Sequence, residues 1–275
     1  MAYLRYFTRI FDRGEGRETA EAALAFELCV PIGRTPTGDD DDDVTLAEAE
    51  LAKRFAGRGY RFLGGRTPPY LGAYIWSRTE ERRFTVRLPR GESEEVTVYL
   101  MHDFIIRGWL HWQTYGEQGA GGWYKHDDPD WPDGLYCVPE KYPAPLEANR
   151  TFRVSLLGHE AQHVADHRRF PGLSSVELEY RAKLVELIEY GEVADRLAFF
   201  LTDAADDPER PHPQAAHLIL TRLAERLFGG AQLTDVDWES VPYSAIRSQA
   251  EALLDEDTAR LSPAATTDVG SRSPP

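Results

Sequence analysis

A helical pattern of apolar and polar residues covers residues 150–169. Val154, Leu157 and Ala161 recur at the spacing that places apolar side chains on one face of a helix. Pro171-Gly172 follows this stretch directly, and proline and glycine both terminate helices. The pattern therefore predicts an amphipathic helix over about 150–169.

Three stretches in the first half alternate apolar and polar residues, at 70–76, 84–88 and 96–101. A period of two residues places successive side chains on opposite faces of a sheet. The segment 90–92, with a glycine at its centre, has the composition of a turn. We therefore expect an antiparallel sheet, with residues 135–138 as a further short strand.

A second helix is predicted at 45–57. Thr45 and Glu48 have the spacing of a capping box, in which each side chain bonds the other residue's backbone N–H, and Leu51 and Phe55 follow at roughly helical spacing. The acidic run 39–43 comes just before, after a group of turn-forming residues. It is predicted to be an exposed loop.

Together these patterns predict an α+β fold with a single domain over residues 1–260. Its sheet-containing part covers about 1–148, and its helical part covers about 149–260. The segment 261–275 is rich in Ser, Thr and Pro, and we expect it to be a disordered tail.

Composition and charge narrow the possible partners. The chain has 275 residues with a net charge of −15, and a surface this negative repels nucleic acid and anionic lipid. No run reaches the roughly 18 apolar residues that suit a membrane helix. The first 30 residues are too charged for a signal peptide, so the expected compartment is the cytoplasm. Neutral or basic substrates are favoured.

The rare residue types add two expectations. The two cysteines, Cys29 and Cys137, are far apart in sequence and are predicted to be free thiols. Only four of the 31 basic residues are lysines, and this preference for arginine suggests a GC-rich genome, for which we expect a bacterial source.

The candidate chemistry lies on the predicted helix 150–169, in the segment His159-Glu160-Ala161-Gln162-His163. Residues four apart lie on the same face of a helix, so both imidazoles can bind one zinc ion. Glu160 lies about 100° around the helix from His159. That position suits a base beside the metal and does not suit a ligand.

This motif resembles that of the HExxH zinc metallopeptidases, the zincins. Asp166 and Arg169 stand where the metzincin subclass has its Gly and its third ligand, which excludes that subclass. In the gluzincin subclass the third ligand is the Glu of a Glu-x-x-Ala pattern on the next helix, and Glu179 and Ala182 match it. The chain is therefore similar to the gluzincins over about residues 155–190.

The resemblance implies that His159, His163 and Glu179 hold a Zn²⁺ ion and that Glu160 is the general base. It also implies an α+β zincin-like fold in which the N-terminal sheet covers the active helix. The chain departs from the family at Lys183, because gluzincins often have there an Asp that supports a zinc-bound histidine.

Glu177 is the rival of Glu179 for the third ligand position. Ser174 and Glu177 themselves form a capping box, which gives Glu177 a structural role. At a rise of about 1.5 Å per residue, His163 and Glu179 each lie roughly 6 to 9 Å from the turn between their helices. Antiparallel packing would place these two residues level with each other, so the sequence favours Glu179.

Two further residues of the motif helix have alternative roles. Asp166 either orients His163 by bonding the second ring nitrogen of that histidine, or it is a solvated carboxylate. His167 is about 12 Å along the helix from His159, too far to share one ion with it, and is expected to support the site indirectly or to lie at the surface.

The resemblance favours a peptidase that acts on a peptide or another small acyl substrate. A donor should stabilise the oxyanion, and four side chains are equal candidates: Tyr136, His126, Tyr180 and Tyr190. The strand at 135–138 is the expected edge strand for an extended substrate. The alternatives are a hydrolase of non-peptide amides or esters, and a noncatalytic zinc-binding regulatory or interaction protein with the fourth metal position closed.

Overall fold

A computed structural model describes residues 1–67, 69–126, 131–143, 145–191, 193–230 and 233–262. The chain divides into two compact units: Met1–Phe84 with Thr97–Pro143, and Thr85–Val96 with Ala144–Pro275. The fold is mixed α and β, as predicted. The single domain over 1–260 stays a prediction, and the expected tail lies outside the described residues from 263 onward.

The helices of the first unit are α1 (Ala2–Phe7), α2 (Arg17–Cys29), α3 (Asp40–Ala56) and α4 (Gly108–Gln113). Its core combines apolar side chains from α1, α2 and α3 with others from the neighbouring strands. Phe7, Leu24, Ala47 and Phe62 are buried members of this core. Both cysteines of the chain are buried free thiols, as expected.

Helix α3 begins earlier than predicted, because the acidic run 39–43 belongs to its N-terminus. Asp39 caps the helix by accepting a hydrogen bond from the backbone N–H of Asp42 at 3.2 Å. The buried carboxylate of Asp43 accepts one from the N–H of Thr37 at 2.6 Å. The exposed-loop prediction was wrong because exposed backbone N–H groups and the helix dipole favour carboxylates there.

Within the described residues, the strands form a five-stranded sheet in the order β1-β4-β5-β7-β6 and a separate two-stranded ribbon of β2 and β3. They are β1 (Arg61–Leu63), β2 (Arg66–Thr67), β3 (Tyr70–Leu71), β4 (Tyr74–Arg87), β5 (Ser93–Arg107), β6 (Gly122–Lys125) and β7 (Gly134–Cys137). The predicted strands at 84–88 and 96–101 are parts of β4 and β5, which the turn around Gly91 connects into one long hairpin.

Strand β7 confirms the predicted strand at 135–138 but corrects two expectations about it. It pairs parallel with β5, with Tyr99 opposite Tyr136, so the sheet is mixed and not purely antiparallel. It also pairs antiparallel with β6, with Trp123 opposite Tyr136. Because both of its sides are hydrogen-bonded, this strand is not an edge that an extended substrate can join.

The second unit contains the tip of the β4–β5 hairpin and a group of helices. These are α5 (His159–Arg169), α6 (Ser175–Glu189), α7 (Val193–Asp203), α8 (Pro211–Phe228) and α9 (Tyr243–Leu261). Helix α6 packs against α5, α8 and α9, and every residue from Tyr180 to Ile188 is buried. Its side chains therefore meet neighbours on all sides, which favours polar groups that are paired.

A π-helical segment, Thr151–Gly158, continues directly into α5. The helix predicted over 150–169 is therefore confirmed, with wider turns in its first half. Helical segments with such widened turns often occur at functional sites. In the described part of the chain, none of the helices has the length and apolar character needed to cross a membrane.

Candidate metal centre

Helices α5 and α6 are antiparallel neighbours, and polar pairs connect them along their length. His159 near the start of α5 contacts Glu186 near the end of α6, whereas Asp166 contacts Arg181, closer to the start of α6. Later residues of α5 thus contact earlier residues of α6, as expected for antiparallel helices. The side chain of Glu179 also reaches this face of α5, where its Oε1 atom lies 3.4 Å from Nε2 of His163.

The two histidines of the motif and Glu179 converge on one point. The Nε2 atoms of His159 and His163 are 3.0 Å apart. Glu179 Oε2 lies 3.3 Å from Nε2 of His159, and Glu179 Oε1 lies 3.4 Å from Nε2 of His163. Ligand atoms bound at 2.0–2.1 Å to a tetrahedral zinc ion are roughly 3.3 Å apart, so this spacing suits that ion.

The carboxylate of Glu179 is buried beside three imidazole groups. Only 12% of its side chain is exposed, and Oε2 has no partner of good hydrogen-bond geometry within the described chain. Burial alone would raise the pKa of Glu179, but the imidazoles of His159, His163 and His212 hold that pKa well below its ordinary value. The buried charge therefore requires positive charge beside it, from imidazolium groups or from a cation.

A second carboxylate fixes the orientation of His159. The Nδ1–H of His159 donates a hydrogen bond of 2.7 Å to Glu186 Oε1. The other oxygen of Glu186 forms an ion pair with Arg196 on α7. This bond directs Nε2 toward Glu179, which is how metal-binding histidines are normally held. Burial would lower the pKa of His159, but the bonds to Glu179 and Glu186 outweigh it and raise the pKa to about 10.

Glu186 orients His159, whereas Asp166 has neither of the roles that sequence analysis offered, because it does not bond His163 and is not solvated. Asp166 Oδ2 instead accepts a 2.8 Å hydrogen bond from Nε of Arg181, and both side chains are almost fully buried. The Nδ1 atom of His163 is buried without a partner among the described residues. Lys183, at the place of the usual Asp, lies near the aromatic ring of Phe200, and burial lowers the pKa of its amine.

Glu177 is a helix cap, as its sequence context predicts. Ser174 and Glu177 exchange both bonds of the capping box, and Arg260 on α9 donates a further hydrogen bond to Glu177. Glu160 is half-buried in the first turn of α5, beside His159. His167 is exposed at the other end of α5, in agreement with a surface position.

His212 is a member of the cluster that sequence analysis missed. It lies in the first turn of α8 between Pro211 and Pro213, and its Nδ1 atom is 2.7 Å from Glu179 Oε2. Ligand atoms of His159, Glu179 and His212 all lie within 4.8 Å of one another. His159 and Glu179 are thus common to two triads, one completed by His163 and the other by His212.

The four oxyanion candidates have different surroundings. Tyr180 is buried in the apolar core of α6, α8 and α9, and the hydroxyl of Tyr190 is hydrogen-bonded to Thr151 at 3.2 Å. Tyr136 and His126 belong to the other unit, where Tyr136 donates to the carbonyl of Pro132. None of these contacts involves the cluster around Glu179.

Comparison with known proteins adds no relative to this description. The chain matches no protein family model, no curated protein and no solved structure.

Proposed function

We propose that this protein is a zinc-dependent metallohydrolase and that its substrates are peptides. His159, His163 and Glu179 are the metal ligands in this proposal, and Glu160 is the general base. The observation that supports it most is the convergence of two imidazole nitrogens and the two oxygens of one carboxylate, with contacts of 3.0 to 3.4 Å, at the HExxH spacing on a helix. Two imidazoles and one carboxylate are a donor set known from zinc hydrolases.

Each residue has a defined task in this mechanism. Bound zinc would supply a water of lowered pKa and a polarised substrate carbonyl. Glu160 would act as the general base toward a water molecule and would then return the proton to the leaving amine. Glu186 accepts the Nδ1–H of His159 and so keeps Nε2 directed toward Glu179, where these side chains would hold the ion. Arg196 balances the buried charge of Glu186.

The wider features of the proposal follow from the same resemblance. The fold is proposed to be zincin-like, with the polar face of α5 as the floor of the active site. The net charge of −15 favours neutral or basic peptides, or another small acyl substrate, over nucleic acid and anionic membranes. The proposed compartment is the cytoplasm.

Cleavage of a quenched fluorescent peptide library tests this activity. Zinc-loaded wild type is expected to cleave members of the library, and Glu160→Gln is expected to lose at least about a hundredfold in kcat/KM, as when a general base is removed. The control is Glu189→Gln, an exposed glutamate on α6. Equal activity of the wild type and the Glu160 variant would rule out the peptidase. Cleavage of simple esters or amides alone would favour the non-peptide hydrolase.

The position of His212 supports a second candidate, a noncatalytic zinc protein. A structural zinc site has four protein ligands and no open position for water. His212 is a fourth nitrogen donor beside Glu179. In a noncatalytic protein it would close the site permanently.

A further inference from the structure

His212 differs from the other members of the cluster in exposure. The side chains of His159, His163 and Glu179 are between 7% and 12% exposed, whereas that of His212 is 62% exposed. Three of the four candidate metal ligands, His159, His163 and Glu179, are therefore held by packing between α5 and α6, and His212 is the fourth. The fourth is free to rotate away from them without opening the core.

The reach of His212 matches that of a metal ligand. Its ring stacks on that of His159, with centroids 6.1 Å apart and an angle of 22° between planes. Its Nδ1 atom is already 2.7 Å from Glu179 Oε2. Since ligand atoms of a tetrahedral zinc site are roughly 3.3 Å apart, a small rotation of this exposed ring is enough for coordination.

The backbone around His212 favours this position. Pro211 and Pro213 restrict the chain at the start of α8, and the buried side chain of Pro213 anchors this turn. The backbone is thus held in place while the imidazole remains mobile. An exchangeable ligand combines these two properties.

We propose that His212 is an exchangeable fourth ligand, which closes the metal site in the absence of substrate and leaves when a carbonyl or another oxygen donor binds. This inference rests on the proposed function, because it concerns the same metal. It predicts a protein that is inhibited by its own side chain at rest. It also separates the two candidate functions, since a permanently bound His212 would exclude catalysis.

Cobalt-substituted protein gives a readout that does not depend on activity. Wild type loaded with Co²⁺ should show the intense visible absorption of a four-coordinate site with three nitrogen ligands. His212→Ala should show a shifted and weaker band, because water replaces an imidazole. His217→Ala is the control, since it removes another histidine from α8 that forms no ion pair with Glu179 within the described chain.

Acetohydroxamate, which binds metals through two oxygens, tests whether His212 is exchangeable. If His212 occupies its position about nine-tenths of the time, the apparent Kd for acetohydroxamate is about tenfold weaker in wild type than in His212→Ala. The His217 variant should behave like wild type. Because 62% of the His212 side chain is exposed, its replacement should leave the chain folded, and circular dichroism verifies this.

Each outcome of this experiment has a definite meaning. A changed cobalt spectrum with tighter acetohydroxamate binding in His212→Ala supports the proposal. If His212→Ala has the same cobalt spectrum as wild type, His212 is not a ligand. If the spectra differ but the two proteins bind acetohydroxamate equally well, His212 is not exchangeable. Either result overturns this proposal and leaves the proposed hydrolase standing. A changed spectrum with a wild-type site that acetohydroxamate never enters shows permanent closure and overturns both. Failure of wild type to bind cobalt or zinc also overturns both.

Discussion

At the scale of single residues, His159 connects two carboxylates that lie two turns apart on α6. Its Nε2 faces Glu179 and its Nδ1 bonds Glu186. Residues seven apart share a helix face, so the sequence contained the signal for Glu186. The gluzincin pattern has its supporting carboxylate at the position of Lys183, so that pattern did not predict Glu186. His212 gave only a weak signal, a histidine between two prolines far along the chain.

Replacing Glu186 by Gln should weaken zinc binding by about 10- to 100-fold, the effect usual for a carboxylate that supports a zinc-bound histidine. The amide accepts the Nδ1–H less strongly and leaves Arg196 without its partner charge. Competition with a chromophoric chelator measures the affinity. Glu189→Gln on the same helix is the control, and equal zinc affinity of the two variants would contradict the role assigned to Glu186.

Zinc binding should release about one proton per chain from His159 at pH 8, because a ligand imidazole must be free of its Nε2 proton. The metal-free pKa of His159 is raised to about 10, so the ring carries that proton at pH 8. Apparent affinity should therefore increase with pH up to about 10. Calorimetry in buffers of different ionisation enthalpy counts the protons. A binding enthalpy that is independent of the buffer would contradict this assignment.

At the scale of elements, the polar pairs between helices determine which residues meet. The helix at 150–169 and the capping box of α6 were predictable, because their signals are local. The parallel pairing of β7 and the start of α8 beside Glu179 depend on contacts between distant segments. A periodic pattern contains no information about such contacts, and His212 was missed for this reason.

The buried guanidinium of Arg181 connects three helices. It donates to Asp166 on α5 and to Asp257 on α9, and only 2% of its side chain is exposed. Arg181→Met leaves these carboxylates without their partner, and the expected loss in the free energy of unfolding is about 3 to 5 kcal/mol. Urea denaturation measures it.

Arg260→Met is the matched control for this prediction. Arg260 also pairs with Asp257, but 55% of its side chain is exposed, so its loss should cost at most about 1 kcal/mol. Similar losses in the two variants would show that burial does not govern the strength of these pairs.

At the scale of the whole molecule, the net charge of −15 should influence the choice of substrate. A lysine-rich peptide should have a higher kcat/KM than a glutamate-rich peptide at about 0.01 M salt, where the Debye length is about 30 Å. The ratio should decrease toward one at about 1 M salt, where that length is about 3 Å. Initial-rate assays on the two peptides at each salt concentration measure this ratio of kcat/KM values. A ratio that does not change with salt would show that preference arises from local contacts alone.

Metal content measured by mass spectrometry tests the central claim most directly, on proteins purified without added metal. Wild type and Glu177→Ala should each carry about one zinc ion per chain, while His163→Ala and Glu179→Ala should carry almost none. Glu177→Ala should lose only the stability of its helix cap, about 1 kcal/mol. A wild-type protein that carries no zinc and cannot be loaded with it would contradict the account, and the cluster would then be a buried network of ion pairs.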